Sequence, residues 1–221
     1  MDLHRYSHVV WDFNGTLIDD LDVSVAAVSD MLTKRGRPPM TRQWYYELME
    51  MPIIRYYEKL FDLSEVSFDT LSAEFAEGYA RHFALSRPAP GAQQALEMLA
   101  RAGCRQAVIS SFEQGRLLSA LRAAGWLGYF DTVLGADNLL AESKIERARA
   151  WRRGMQAVRR VLVVGDLVHD WEMAQAVGAD CILVSCGHQA FGDLQRCGCP
   201  VFASLEEAFS DSQTISGKKH I

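Results

Sequence analysis

The sequence predicts an α/β fold: a parallel sheet with helices on both faces, interrupted once by a helical insertion. Three observations carry this expectation. Five short runs rich in Val, Ile or Leu are bounded by Gly, Asp or Ser, as buried strands are. Amphipathic stretches separate the last four runs, and strand–helix alternation of that kind builds parallel sheets. Between the first two runs, the roughly 90 intervening residues look helical throughout.

The first run is 7–13 (SHVVWDF). Residues 20–35 then repeat apolar side chains at i, i+3 and i+4, and the GRPP stretch at 36–39 breaks that pattern. Further helices are expected at 41–50, 52–61 and 67–86, after which RPAPG (87–91) reads as a hinge back to the sheet. The helix at 91–103 leads into the second run, 104–110, and the helix at 113–125 into the third, 130–136. Both helices close on glycine, a common C-terminal signal. The fourth run (159–166), a helix at 169–178 and the fifth run (179–185) complete the sheet. The expected division is therefore a core of 1–19 and 87–221 and an inserted helical unit at 20–86. The tail from 210 to 221 is polar and expected to be mobile.

A chain of 221 residues has room for one such core with an insertion. Its net charge of −5 argues against a broad nucleic-acid surface. No apolar run approaches the ~18 residues of a membrane span. The N-terminal MDLHRYSH is not a signal peptide, so a cytoplasmic, non-membrane protein is expected. Five irregularly spaced cysteines then read as free thiols. Cys197 and Cys199, with His188 nearby, lack the paired spacing of a zinc site and read as structural.

Ligands of open parallel sheets bind beyond the carboxyl ends of the strands. At those ends stand Asp12, Asn14, Gly15 and Thr16 after the first run, Ser110 and Ser111 at the second, and Asp166 at the fourth. Asp170 lies one helical turn beyond Asp166, and Lys144 follows the third run. Such a set suits phosphoryl transfer. Carboxylates from two strands can hold a hard cation such as Mg2+. The metal and Lys144 would neutralise a phosphate, Ser110 and backbone N–H groups would bind its oxygens, and Asp12 could attack phosphorus. Gly15 lets the backbone turn closely around the ligand. Blander roles weigh against several of these. Lys144 can be a solvated helix residue, Asp170 a helix cap and Ser111 a mere neighbour. His169 and His188 read as exposed, and Trp44, Tyr45, Tyr46, Tyr56 and Tyr57 read as core of the insertion before substrate clamp.

The stretch Asp12-Phe13-Asn14-Gly15-Thr16-Leu17 resembles the first motif of the haloacid dehalogenase superfamily, whose phosphatases usually read Asp-x-Asp-Gly-Thr. AVISS (107–111), Lys144 and GDLVHD (165–170) resemble the second, third and fourth motifs, in order, so that the resemblance spans essentially the whole chain. The pattern is most similar to the phosphoglycolate-phosphatase-like branch. The resemblance implies a Rossmann-like core with a helical cap, Mg2+ as cofactor, and a small phosphorylated substrate in a monomer or homodimer. It also implies roles. Asp12 is the nucleophile, and Mg2+ is held by Asp12, the Asn14 carbonyl and Asp166, with Asp170 in support. Ser110 and Lys144 bind phosphate, and Thr16 holds the first loop.

Asn14 departs from the pattern. The aspartate usual there acts as general acid and then general base, help worth roughly 10²–10⁴ in rate. An amide does neither at neutral pH. Four consequences stay open: a substrate with a good leaving group, such as a phenol; a substitute acid among Asp19, Asp20, His169 and the cap; a weakened protein that binds its phosphorylated ligand as sensor or scaffold; or deamidation at Asn14-Gly15 to restore the acid.

Overall fold

The computed structural model describes residues 5–137, 144–155 and 160–210. Of the tail expected to be mobile (210–221), all but Ser210 lies outside them. In chain order, the elements begin with β1 (His8–Trp11) and the two-residue β2 (Ile18–Asp19). Four helices follow: α1 (Leu21–Thr33), α2 (Arg42–Leu48), α3 (Ile53–Leu60) and α4 (Phe68–His82). Then come β3 (Arg87–Pro88), α5 (Ala92–Arg101), β4 (Arg105–Glu113), α6 (Gln114–Ala123), β5 (Thr132–Ala136) and α7 (Lys144–Arg153). The chain continues through β6 (Val161–Gly165), α8 (Val168–Val177), β7 (Asp180–Val184), α9 (Phe191–Gln195), β8 (Val201–Phe202) and α10 (Leu205–Ala208).

Six strands form one parallel sheet in the order β5-β4-β1-β6-β7-β8. The order runs outward from β1 first one way and then the other, so the topological switch lies between β1 and β6. Alternation along each strand sorts side chains to two faces. Val9, Trp11, Leu162, Val164 and Val184 pack with Leu96 and Leu99 of α5 and Leu117 and Leu121 of α6. Val10, Ile109, Val161, Val163 and Leu183 pack with Met173, Ala174 and Val177 of α8. Burial on both faces explains why the strands read as continuous apolar runs.

Residues 21–82 supply four helices and a separate apolar cluster that includes Val28, Met31, Leu32, Tyr56, Tyr57 and Leu71. Thr41 caps α2 by accepting from the Trp44 N–H, and Ser67 caps α4 from the Thr70 N–H. α1 and α4 approach closely where Gly78 faces Ala27; a Cβ there would lie 3.1 Å from the Ala27 Cα. The helical segment joins the sheet through an antiparallel ribbon in which Ile18 pairs with Pro88 and Asp19 with Arg87. Strands this short carry no periodicity and were not anticipated, nor was β8 at the sheet edge. β4 also runs three residues past its expected end at 110, with a register shift between Ile109 and Glu113. Ser110 and Ser111 therefore sit in a bulge, a device that re-aims side chains. Among the described residues, no helix is long and apolar enough to cross a membrane.

Candidate active site

The parallel register brings the expected groups to one end of the sheet. Trp11 lies level with Val108 and Val164, so Asp12, Ser110 and Asp166 emerge from three adjacent strands. One carboxylate oxygen from each of Asp12, Asp166 and Asp170 falls within 4.8 Å of the others, and all three residues are buried. Lys144, the first residue of α7, is 2 % exposed rather than solvated. Its Nζ lies 3.1 Å from Asp12 Oδ1 and pairs also with Asp170 Oδ1. Asp170 takes the helix-capping role with one oxygen only. Its Oδ2 accepts from the Asp166 N–H (3.1 Å) and the Leu167 N–H (2.9 Å) at the start of α8, while Oδ1 turns toward Lys144. Thr16 Oγ1 donates to Asp166 Oδ1 at 2.8 Å, tying the first loop to β6. The Ser110 hydroxyl accepts from the Phe112 N–H, and its carbonyl accepts from Arg147. Ser111 lines the same cavity.

Two glycines make room for these carboxylates. Gly15 has φ 72°, and a Cβ on it would stand 2.7 Å from Asp166 Cγ and 2.6 Å from the His188 ring. Any side chain at Gly165 would overlap the Asp170 carboxyl group. Crowding has an electrostatic consequence. Burial pushes the Asp12 pKa up to about 6, against the pull of Lys144 and with a further push from Asp170. Burial likewise pushes Asp166 up to about 7, with His188 pulling it down and Asp12 and Asp170 pushing it up. Burial works against the Lys144 ammonium, but Asp12 and Asp170 outweigh it and hold its pKa above the ordinary value. Lys144 thus meets Asp12 and Asp170 while Asp166 faces His188, and Asp170 Oδ1 accepts no aligned hydrogen bond. This donor set fits a hard, oxygen-preferring divalent cation such as Mg2+.

Asn14 is held by residues from two other parts of the chain. Its Nδ2 donates to Asp20 Oδ2 (2.9 Å) and to the Tyr79 hydroxyl (2.7 Å). Asp20 is 1 % exposed, and its oxygens also accept from the Gly15 N–H (2.7 Å), the Tyr79 hydroxyl (2.7 Å) and His188 Nε2 (3.0 Å). Burial alone would raise the Asp20 pKa, but His188, Asn14 and Tyr79 reverse that, and the carboxyl stays below its ordinary value. An ionised Asp20 only accepts. It therefore fixes the amide orientation of Asn14 and has no proton to lend. Asp19 instead pairs with Arg87 (3.0 Å) on the ribbon. His169, expected to be exposed, is half-buried: it lines the cavity with Nδ1 3.0 Å from Glu172. The Gly15 amide, the nitrogen that deamidation of Asn14 would use, is buried and bonded to Asp20.

His188 corrects the sequence expectation of an exposed histidine: it is 7 % exposed. Its N–H donates to Asp166 Oδ2 at 2.7 Å, its Nε2 meets Asp20, and its Nδ1 meets the Tyr45 hydroxyl at 3.0 Å. Burial lowers its pKa, but Asp20 and Asp166 outweigh that and lift it to about 9. The loop after β7 carries it, and a loop histidine in the sequence gives no sign of where it folds. Tyr45 and Tyr46 thereby serve as more than insertion core, since Tyr46 donates to the Gly187 carbonyl across the same boundary. Tyr79 had no sequence signal; in α4 it is one aromatic among several.

Between the helical segment and the sheet lies a cavity of about 230 Å³. Asp12, Asn14, Ser110 and Lys144 line it, as do Met49, Met51, Ile53, Tyr56, Phe75 and Phe112.

The model of the family described as haloacid dehalogenase-like hydrolase matches residues 9–184. Phosphoglycolate phosphatase 1 of Pseudomonas aeruginosa is 30 % identical over 190 residues, covering 81 % of this chain and 70 % of its own length. A phosphoglycolate phosphatase of Nitrosospira multiformis is 27 % identical over 214 residues, covering 90 % and 92 %. Among solved structures, a haloacid dehalogenase-like hydrolase of Streptococcus pneumoniae superposes with a TM-score of 0.79 at 15 % identity, over 93 % of this chain and 98 % of that one. CbbY of Rhodobacter sphaeroides, solved in complex with phosphate, gives 0.71 at 18 % identity over 92 % and 96 %. At those identities the structural likeness speaks for the fold.

Proposed function

The chain belongs to the haloacid dehalogenase-like hydrolases, and from that membership we propose that it is a Mg2+-dependent phosphatase of a small phosphate monoester, with Asp12 as nucleophile. The observation that carries this reading is the convergence of Asp12 on Lys144, Asp166 and Asp170 in a buried pocket at the switch point of the sheet. The phosphatase names of its relatives support the reaction class. Asp12, Asp166 and the Asn14 backbone carbonyl would hold the cation, with Asp170 in support. When bound, the cation would supply positive charge against the phosphate oxygens.

The residues of the chain then divide the work. Lys144 and the Ser110 hydroxyl hold the phosphate, with Gly15, Thr16 and Ser111 shaping the loops around it. An Asp12 carboxylate oxygen bonds to phosphorus as the ester P–O bond breaks, and the leaving oxygen takes the electron pair. Asn14 has no proton to give, so a leaving group stable as its anion departs and collects a proton from solvent. Water then attacks phosphorus, the bond to Asp12 breaks, and phosphate leaves with the carboxylate restored. Asn14 supplies no base for this second step, which is therefore slow. The helical unit at 20–86 acts as a cap that closes over the cavity and excludes bulk solvent.

Phosphate release from 4-nitrophenyl phosphate tests this reading. Turnover should require Mg2+, stop with EDTA, and vanish in Asp12→Asn. Release that persists in Asp12→Asn would overturn it. A second reading rests on Asn14 itself: a protein that binds a phosphorylated ligand and turns it over poorly. That reading predicts Mg2+-dependent binding of inorganic phosphate, by calorimetry, without multiple turnovers.

A further inference from the structure

We propose that the substrate is an aryl phosphate, with an aromatic ring directly on the ester oxygen, and that the apolar wall of the cavity is the ring's binding site. This rests on the phosphatase reading above and names the substrate class it would take. Two independent observations point to the ring.

The first is the wall. Next to the phosphate-binding end, the cavity is faced by Met49, Met51, Ile53, Phe75, Ala76 and Phe112. An apolar cavity of roughly 150 Å³ already accommodates benzene, and this cavity, phosphate-binding end included, measures about 230 Å³. The lining does not favour a second anionic group on the substrate. Its cations each have a partner: Lys144 with Asp12 and Asp170, His188 with Asp20, His169 with Glu172, and Arg116 with the Ala76 carbonyl. Glu113, in the same lining, lies close enough to Arg116 to offset its charge. A short carboxylate such as glycolate would exchange water for methionine and aromatic carbon, which is unfavourable.

The second is Asn14. Its NH2 group is committed to Asp20 and Tyr79, so toward the cavity it offers only a carbonyl, an acceptor. An alkoxide leaving group finds no donor there. A phenoxide needs none, because its conjugate acid has a pKa near that of a tyrosine, about 10. The wall selects a ring, and the amide selects a ring attached through oxygen.

Three esters separate these claims: phenyl phosphate, benzyl phosphate and 2-phosphoglycolate, assayed for phosphate release with Mg2+. Benzyl phosphate keeps the ring but departs as an alkoxide. Phenyl phosphate should have the highest kcat/KM, and benzyl phosphate should inhibit its turnover at comparable concentrations but have a kcat/KM lower by about 10²–10⁴. 2-Phosphoglycolate should be poorest in KM. Phe75→Ala should raise KM for phenyl phosphate about tenfold while inhibition by inorganic phosphate stays unchanged, which also shows the variant folded. Faster turnover of 2-phosphoglycolate than of phenyl phosphate would overturn the aryl assignment and leave the phosphatase reading standing. Absence of Mg2+-dependent turnover on all three, with no binding of inorganic phosphate, would overturn both.

Discussion

At the scale of single residues, the account turns on what holds Asn14. An aspartate at position 14 would stand at hydrogen-bond distance from the Asp20 carboxylate, where Asn14 Nδ2 now lies at 2.9 Å. Two carboxylates that close cannot both ionise, so the pair would keep a proton near neutral pH. Asn14→Asp should therefore raise kcat/KM for benzyl phosphate, by up to roughly 10²–10⁴, with a much smaller gain in kcat/KM for phenyl phosphate, while kcat rises for both as the second step regains its base. Equal gains in kcat/KM on both esters would show that the amide is not what limits alkyl substrates. The placing of Asp12, Ser110 and Asp166 together was legible in the sequence because each stands at or near a strand end; Lys144, the first residue of α7, had only its order among the motifs. Asp20 was named but its place was not, since a carboxylate before a helix usually serves that helix's dipole. His188 was legible only as a residue in a loop. Its effect on stability has a definite sign. In metal-free protein its pKa rises from 6.5 to about 9, so its contribution is fully present below pH 6.5 and is lost as pH climbs through about 9. With EDTA present, the wild-type melting temperature should fall more between pH 6.5 and 9 than that of His188→Gln; parallel curves would contradict this.

At the scale of elements, α4 is the one whose position matters most to substrate. It carries Phe75 and Tyr79 into the cavity, and Gly78 lets it lie against α1. Gly78→Val would press a branched side chain into Ala27, whose Cα lies 3.1 Å from a Cβ built there. The expected cost is about 1–3 kcal/mol of stability, read from denaturant melts, together with a higher KM for phenyl phosphate. A variant with unaltered stability would mean that α1 and α4 separate freely. The helices and the five long strands were readable because apolar side chains recur with helical period or run continuously. β2, β3 and β8 were not, because two residues have no period and their pairing is decided by tertiary contacts. The bulge at Ser110 was hidden for a similar reason: β4 reads as one apolar run, and its register is set by β5.

At the scale of the molecule, the sheet order puts the ends of β1, β4 and β6 side by side, and burial makes the resulting negative charge costly. Binding of a divalent cation should relieve that cost. Saturating Mg2+ should raise stability by about 2.7 kcal/mol at a hundred times its Kd, seen as a higher melting temperature that EDTA reverses. Asp166→Asn should lose the increment; if it keeps it, the stabilising cation sits elsewhere. The sequence changes pattern near residues 20 and 87, from apolar runs to helical repeats and back. The closeness of Tyr45 and Tyr46 to the loop after β7 was not visible there, because no local pattern encodes contacts across more than 140 positions. The central claim is that Asp12 takes the phosphoryl group and, with an amide at position 14, gives it up slowly. The direct measurement is to acid-quench the enzyme during turnover of phenyl phosphate with Mg2+ and map the phosphoryl group by peptide mass spectrometry. The account predicts phosphorylated Asp12 in a large share of the enzyme, absent in Asp12→Asn. Steady phosphate release from an enzyme that carries no phosphoryl group at any time from the first turnover onward would contradict it.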